Sequence, residues 1–367
     1  MIFSNYYRRN YESKPGVLRA IAAFWIIIFH SAIILSASSA TSWPKSRNPV
    51  NSLIYEGWMA VSLFIVLSGY QLGKVLIDSR VDWRKFFLAR ILRIYPLYLI
   101  AILLSYTSQR PPLTTIILDF LMIPRLPSQY CCATNFTATV WTVRVEFFMY
   151  LLLPLIIPLT RKIGLKVMLF IPSIIFILGL RVGDSMGYYY WQIPGRLIEF
   201  TTGVALASIT LSNQKKFRKV KLESRTTFLV GILSLGLISN LVNKNGGEWR
   251  ISTWWPAVTV GLSLAFFLIM AGITPPLFKG FQKLSFPIAL ISELSYGIYL
   301  FHFAVIGFLA PKVVQIMNGH PNAITGAAIG AVICFPISVL LSWLISPIER
   351  FFMGLRPIYW DTAKRDI

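Results

Sequence analysis

Acidic residues are scarce in this sequence. Only 14 Asp and Glu stand against 35 Lys and Arg, and charged residues of both signs make up 13% of the 367-residue chain. Soluble domains carry about 25% charged residues, so a water-facing globule is excluded as the reading of the whole chain. Cysteine is rare too, with three in all: Cys131 and Cys132 are adjacent, and Cys334 lies in a late apolar run. That spacing suits unpaired thiols and contains no metal-ligand pattern, so no metal cofactor is expected. No internal repeat, no low-complexity segment and no appended soluble domain can be read from the chain.

What the sequence has is apolar length: 56% hydrophobic residues and a mean hydropathy of +0.65. The net charge of +21 does not point to nucleic acid, because the basic residues lie in short stretches between apolar runs, where they encode membrane orientation. The first such run, Val17 to Leu35, is too long for the apolar core of a cleaved signal and lacks a small-residue cleavage site, so it is read as the first span. A spanning helix needs about 20 mainly apolar residues. Spans are predicted at 17–36, 53–77, 86–107, 139–160, 164–182, 188–210, 226–243, 253–272, 288–310 and 323–347. A polar turn at Gly183 to Ser185 separates the fifth from the sixth, and Thr114 to Ile123 is too short to cross. The expected fold is all-α: a polytopic membrane helical bundle of about ten transmembrane helices, forming a single domain over 1–367. With both termini cytoplasmic, basic residues favour the inner segments about threefold, which is the bias that sets topology. The basic run around 211–225 is then the longest inner loop, lying near anionic membrane lipid.

Charges inside spans cost several kcal/mol and are candidate functional groups. Arg19 and His30 fall about three turns apart on one face of the first span, separated by roughly 16 Å along the axis. Arg19 then sits at the cytoplasmic mouth and His30 in the outer half. The pair suits a path for an anionic donor whose reactive end reaches inward. Equally, Arg19 could snorkel to lipid and His30 serve packing. Arg90 and Arg93 lie at i, i+3 and share a face. Two guanidiniums there either grip phosphate or anchor the helix to the inner surface. Pro96 follows and is expected to kink the helix. Glu146 lies at about the depth of His30, where a carboxylate could orient and charge-stabilise the imidazole. Its alternative is an ion pair with Arg144. His302 also falls in an outer half, as a site residue or a packing one, whereas His320 is read as solvated. Arg196 and Glu199 at i, i+3 are suited to neutralise each other, and Glu293 and Glu349 complete the set. This layout fits an acyl transferase working across the membrane, and it also fits a proton-coupled transporter.

At these residues the chain resembles the acyltransferase-3 family of integral membrane O-acyltransferases. LRAIAAFWIIIFH carries an arginine and a histidine at the family's spacing, Arg19 and His30. GWMAVSLFIVLSGYQLGK carries the Leu-Ser-Gly signature at Leu67, Ser68 and Gly69. FFLARILRIYPLYL carries Arg90 and Arg93, and VWTVRVEFFMYLLLPL carries Trp141 and Glu146. LSYGIYLFH ends in His302, and SPIERFF resembles the closing glutamate motif at Glu349. Two positions depart from the pattern: Arg144 replaces a small or polar residue, and Arg350 follows Glu349 where the commoner pattern ends in proline.

The resemblance implies a stand-alone enzyme of the bacterial inner membrane. It would move an acyl group, most simply acetyl, from cytoplasmic acetyl-CoA to a hydroxyl of a polysaccharide or its lipid-linked saccharide precursor, such as O-antigen or exopolysaccharide. On this reading His30, Glu146 and His302 are catalytic, and Arg19, Arg90 and Arg93 bind the CoA phosphates. The alternative is a transporter or flippase of a lipid-linked sugar using the same charges as a proton relay.

Overall fold

The computed structural model describes residues 14–38, 44–46, 48–106, 112–123, 139–179, 193–215, 224–247, 254–274 and 285–361. Cys131, Cys132, the turn at Gly183 to Ser185 and most of the 211–225 basic run lie outside them. The elements, in chain order, are α1 (Lys14–Leu35), α2 (Pro49–Tyr55), α3 (Met59–Leu76), β1 (Arg80–Val81), α4 (Trp83–Tyr106), α5 (Leu113–Phe120) and α6 (Val140–Ile163). After a 3-10 turn at Gly164–Lys166 come α7 (Val167–Gly179), α8 (Ile193–Lys215), α9 (Arg225–Lys244), α10 (Trp255–Gly272) and α11 (Ser285–Ile316). The last described elements are α12 (Ala323–Ile329), a π-turn at Gly330–Cys334, α13 (Phe335–Gly354) and β2 (Trp360–Asp361).

The all-α expectation holds, and among the described residues 8 helices are long and apolar enough to cross a membrane. The two expected spans outside that set have physical reasons. The fifth forms α7, only 13 residues long within the described range. The sixth forms the 23-residue α8, which carries Arg196, Glu199, Thr201 and Thr202 on its buried face. The second span is interrupted: α2 stops at Tyr55 and α3 begins at Met59. Between them Glu56 is fully buried and accepts from Trp58 Nε1 at 2.7 Å and from Asn243 Nδ2 at 2.8 Å. The stretch Thr114 to Ile123, read as too short to cross, is mostly taken up by the short helix α5. α4 continues as helix through Pro96 to Tyr106.

Local sequence explains several boundaries. Asn48, Ser224 and Asn322 cap α2, α9 and α12, each accepting a backbone N–H of the first turn. Along the helices, Thr160, Thr201, Thr259, Ser338 and Ser342 return their hydroxyls to the carbonyl four residues back. That disposes of polar groups where no water is at hand. Large apolar side chains stay exposed, among them Leu155 at 71%, Leu233 at 69% and Val332 at 75%. Water would not tolerate so much, and lipid does.

The described residues cluster into two compact units. The first comprises Met1–Phe64, Val220–Trp254 and Gly261–Leu344. In it α1 packs along α11 and against α12 with the π-turn, and α2 packs on α9. Gly326 and Gly330 let α12 and the π-turn approach α1 closely: a Cβ at Gly326 would lie 2.9 Å from the Ser31 carbonyl, and one at Gly330 2.6 Å from Ser31 Cβ. The second unit comprises Ile65–Lys219, Trp255–Val260 and Ile345–Ile367, with α6 packed on α4, α7 and α8. In it Gly69 and Gly73 face Phe200, Val204 and Ala207, and Gly203 faces Val66. This is a small-residue crossing of the GxxxG kind, used where lipid supplies no hydrophobic drive between helices.

A methyl at Gly69 would overlap the Phe200 carbonyl, a backbone atom that cannot swing aside. Gly69→Ala is therefore expected to cost about 1–3 kcal/mol of stability and to lower the thermal midpoint of the detergent-solubilised protein. Gly236→Ala, where a Cβ meets nothing within 4 Å, should leave that midpoint unchanged.

Candidate functional site

In the first unit, α1 and α11 bring two of the three histidines into contact. His30 Nδ1 lies 2.7 Å from His302 Nε2, and the rings stack with centroids 5.0 Å apart at 20°. His302 is fully buried, and its Nδ1 lies 2.6 Å from the Tyr299 carbonyl. A carbonyl only accepts, so His302 Nδ1 carries its proton and Nε2 of the neutral ring presents a lone pair. His30 Nδ1–H must then donate to it. In that neutral pair, His30 Nε2 is left as a base. Phe29 and Phe303 flank the His30 ring at 4.9 and 5.1 Å between centroids. Arg19 lies half-buried on the same helix. His320 is exposed, as expected, and also bonds the Leu35 carbonyl at the end of α1, at 3.0 Å. Glu293 lies half-buried on α11.

In the second unit, Glu146 projects from the second turn of α6. Its Oε1 accepts from Ser68 Oγ at 2.7 Å and from Tyr150 Oη at 2.5 Å. Ser68 is the central residue of the Leu-Ser-Gly signature, so the motif contributes a hydroxyl to the carboxylate and, through Gly69, a close helix crossing. Tyr150 follows Glu146 by one turn on the same helix face. The hydrogen bond that the structure gives the His30 ring is to His302.

Arg144 pairs with Asp119. Its guanidinium lies 2.5 Å from Asp119 Oδ1, and its Nε donates to Tyr98 Oη at 2.9 Å. Both charged side chains are almost wholly buried. Tyr106 donates to Asp119 Oδ2 at 2.7 Å and Tyr98 to the Asp119 carbonyl at 2.7 Å. Arg196 and Glu199 neutralise each other, as expected, at 3.1 Å and with no exposure. The rings of Trp141 and Trp255 lie 5.3 and 4.8 Å from the Arg196 guanidinium. The tryptophan of the Trp141-to-Glu146 motif thus serves this buried pair. Glu349 is buried on α13.

Arg90 is buried on α4 within three rings, with its guanidinium carbon 5.4 Å from Phe86, 5.7 Å from Tyr150 and 5.4 Å from Tyr359. One Nη donates to Tyr359 Oη at 2.9 Å. Arg93 is half-buried one turn on. At the mouth of α4, Asp82 accepts the Lys85 backbone N–H, which is the chief cause holding its carboxyl below the ordinary value.

Asp119, Tyr98, Tyr150 and Glu56 are not among the site residues that the sequence motifs single out. For two of them a signal existed, since Asp119 and Glu56 are lone acids inside apolar stretches and so need an internal partner. The tyrosines had none, because a tyrosine in a span is commonplace until its hydroxyl finds a carboxylate. Among the described residues no group of three or more His, Cys, Asp or Glu side chains is placed to hold a metal.

The profile of a family described as Acyltransferase domain matches residues 14–346. Curated relatives agree in kind. ORF330 of Acidianus two-tailed virus, provisionally named an acetyltransferase, is 26% identical over 306 residues, covering 80% of this chain and 83% of the viral protein. The O-acetyltransferase OatA of Staphylococcus aureus is 26% identical over 338 residues, covering 82% of this chain and 52% of its own length. The chain therefore spans about half of the staphylococcal protein. No solved structure matches the chain. With the profile running from the start of α1 into α13, and apolar helices of membrane-crossing length along it, this multi-pass membrane protein belongs to the acyltransferase-3 family.

Proposed function

We propose that the protein transfers an acetyl group from cytoplasmic acetyl-CoA to a hydroxyl of a cell-surface polysaccharide, or of its lipid-linked precursor, on the periplasmic side of a bacterial inner membrane. O-antigen and exopolysaccharide units are the acceptor class. The orientation follows from the basic-residue bias, with both termini cytoplasmic. The observation that carries the reading is the His30–His302 hydrogen bond at 2.7 Å. It leaves an imidazole nitrogen of defined tautomer, which is what removal of a proton from an attacking hydroxyl requires. Once protonated, His30 is a cation whose Nδ1–H still points at the His302 lone pair, so charge develops against an acceptor already in position. His302 is thus the positioning residue and His30 the base.

Glu146 is assigned as the second acid/base group, preorganised by the hydroxyls of Ser68 and Tyr150. Arg19, Arg90 and Arg93 are assigned to the phosphates of the donor, for which guanidinium geometry is suited. The O-acetyltransferase name of the staphylococcal relative supports an oxygen acceptor.

The test is transfer of labelled acetyl from acetyl-CoA to base-labile ester on polysaccharide by membranes carrying the protein. His30→Ala should lower the rate about a hundredfold or more, the usual worth of a general base, while expression and insertion persist. A near-normal rate would remove His30 from the chemistry. His302→Ala should cost about tenfold to a hundredfold, and His302→Gln, whose amide oxygen can still accept from His30, should recover part of that loss. Glu146→Gln should impair transfer at least tenfold or so, and an unchanged rate would leave Glu146 with a structural role only. Movement of a lipid-linked sugar across the membrane without consumption of CoA would favour a transporter instead.

A further inference from the structure

Arg90 is the buried arginine of the proposed donor set, and among the described residues it forms no ion pair. It is 7% exposed, its Nε has no hydrogen-bond partner, and no carboxylate pairs with it among the described residues. Arg144 and Arg196, buried to a similar depth, each hold a carboxylate. Three aromatic faces offset part of the desolvation of Arg90, but they supply no anion. A guanidinium so placed is completed by an incoming phosphate oxygen.

The third face and the Nη hydrogen bond both come from Tyr359, after α13. That residue is held in place by a small clasp. β1 and β2 pair antiparallel, Arg80 opposite Asp361 and Val81 opposite Trp360. The Asp82 N–H donates to the Tyr359 carbonyl at 3.0 Å. The Tyr359 ring meets Phe86 edge to face, with centroids 5.1 Å apart, and its hydroxyl accepts from Arg90. Phe86 and Arg90 lie one turn apart on α4, so the ring and the hydroxyl of one tyrosine engage successive turns of that helix.

We propose that residues 355–361 form a working part of the donor site, in which Tyr359, clasped by β1 and β2, positions Arg90 to receive a phosphate group of the acyl donor. The inference rests on the reading of Arg90 as a donor-phosphate ligand. The shared chemistry is a phosphate ester, which a lipid headgroup could also offer, so the experiment must separate the two.

The variants are Tyr359→Phe, which keeps the ring and removes the hydroxyl, and a chain ending at Pro357, which removes both Tyr359 and β2. Steady-state transfer is measured against acetyl-CoA in detergent, and binding of CoA and of a short-chain phosphatidic acid is measured by calorimetry. Losing a hydrogen bond to a charged group should raise the KM for acetyl-CoA about tenfold in Tyr359→Phe, and at least as much in the shortened chain. The kcat should stay within about twofold in both, because the effect falls on binding. Weaker CoA binding with unchanged phosphatidic acid binding supports the inference. Unchanged CoA binding and KM in both variants overturn it, and so does weakening for phosphatidic acid alone, which would make Arg90 a lipid ligand. Unequal loss, with kcat falling and KM unchanged, also overturns it, since a merely structural defect would do that. Wild-type protein that binds no CoA would remove the donor assignment itself, and the inference with it.

Discussion

In a bilayer no water waits to receive an unpaired polar group, and the buried charged pairs among the described residues are arranged under that constraint. Arg144 meets Asp119, Arg196 meets Glu199 between two tryptophans, and His30 meets His302. Serine and threonine hydroxyls are returned to their own helices. Charges that would be solvated details on a soluble surface become fixed parts here, because the alternative costs several kcal/mol each. The same constraint makes the site geometry stiff. An imidazole that donates to another imidazole's lone pair has one tautomer to adopt, and a carboxylate gripped by two hydroxyls does not wander.

The second determinant is the absence of a hydrophobic drive between helices in lipid. Contact must come from shape, and glycine supplies it. Gly69 and Gly73 on α3 against Gly203 on α8 bring backbones together at the segment that carries Ser68. The Leu-Ser-Gly signature thus has two physical jobs in consecutive residues, a hydroxyl for Glu146 and a missing side chain for helix packing. In the other unit, Gly326 and Gly330 bring α12 and the π-turn against Ser31, the residue after His30. A π-turn widens the helix by one residue and is often found beside functional groups. Its place here sets a neighbour of the helix turn that carries His30.

Much of this was legible in the chain itself. Long apolar runs and the halved charge fix the solvent as lipid and the fold as helical, since only internally bonded helices or closed barrels survive there. The spacing of Arg19 and His30 survives as two positions on α1, and the i, i+3 pairing of Arg196 with Glu199 needs only the pitch of a helix. Polarity misleads where it is hidden: α8 reads as a weak span because its buried face is polar, and Glu56 interrupts what composition paints as one continuous helix.

What the sequence alone determined is therefore the class of protein, the helices and the short list of charges, because these depend on composition and on periods of a few residues. Which charge answers which was decided only by tertiary structure. His302 is 272 positions from His30, and Tyr359 is 269 from Arg90. Asp119 reached Arg144 from a helix too short to cross. Such pairings follow from how helices cross and from which backbones can touch, and no local pattern encodes them. The sequence named the groups able to do acid–base and phosphate chemistry, and the packing chose their partners, because a buried polar group takes whatever complement the fold brings within about 3 Å.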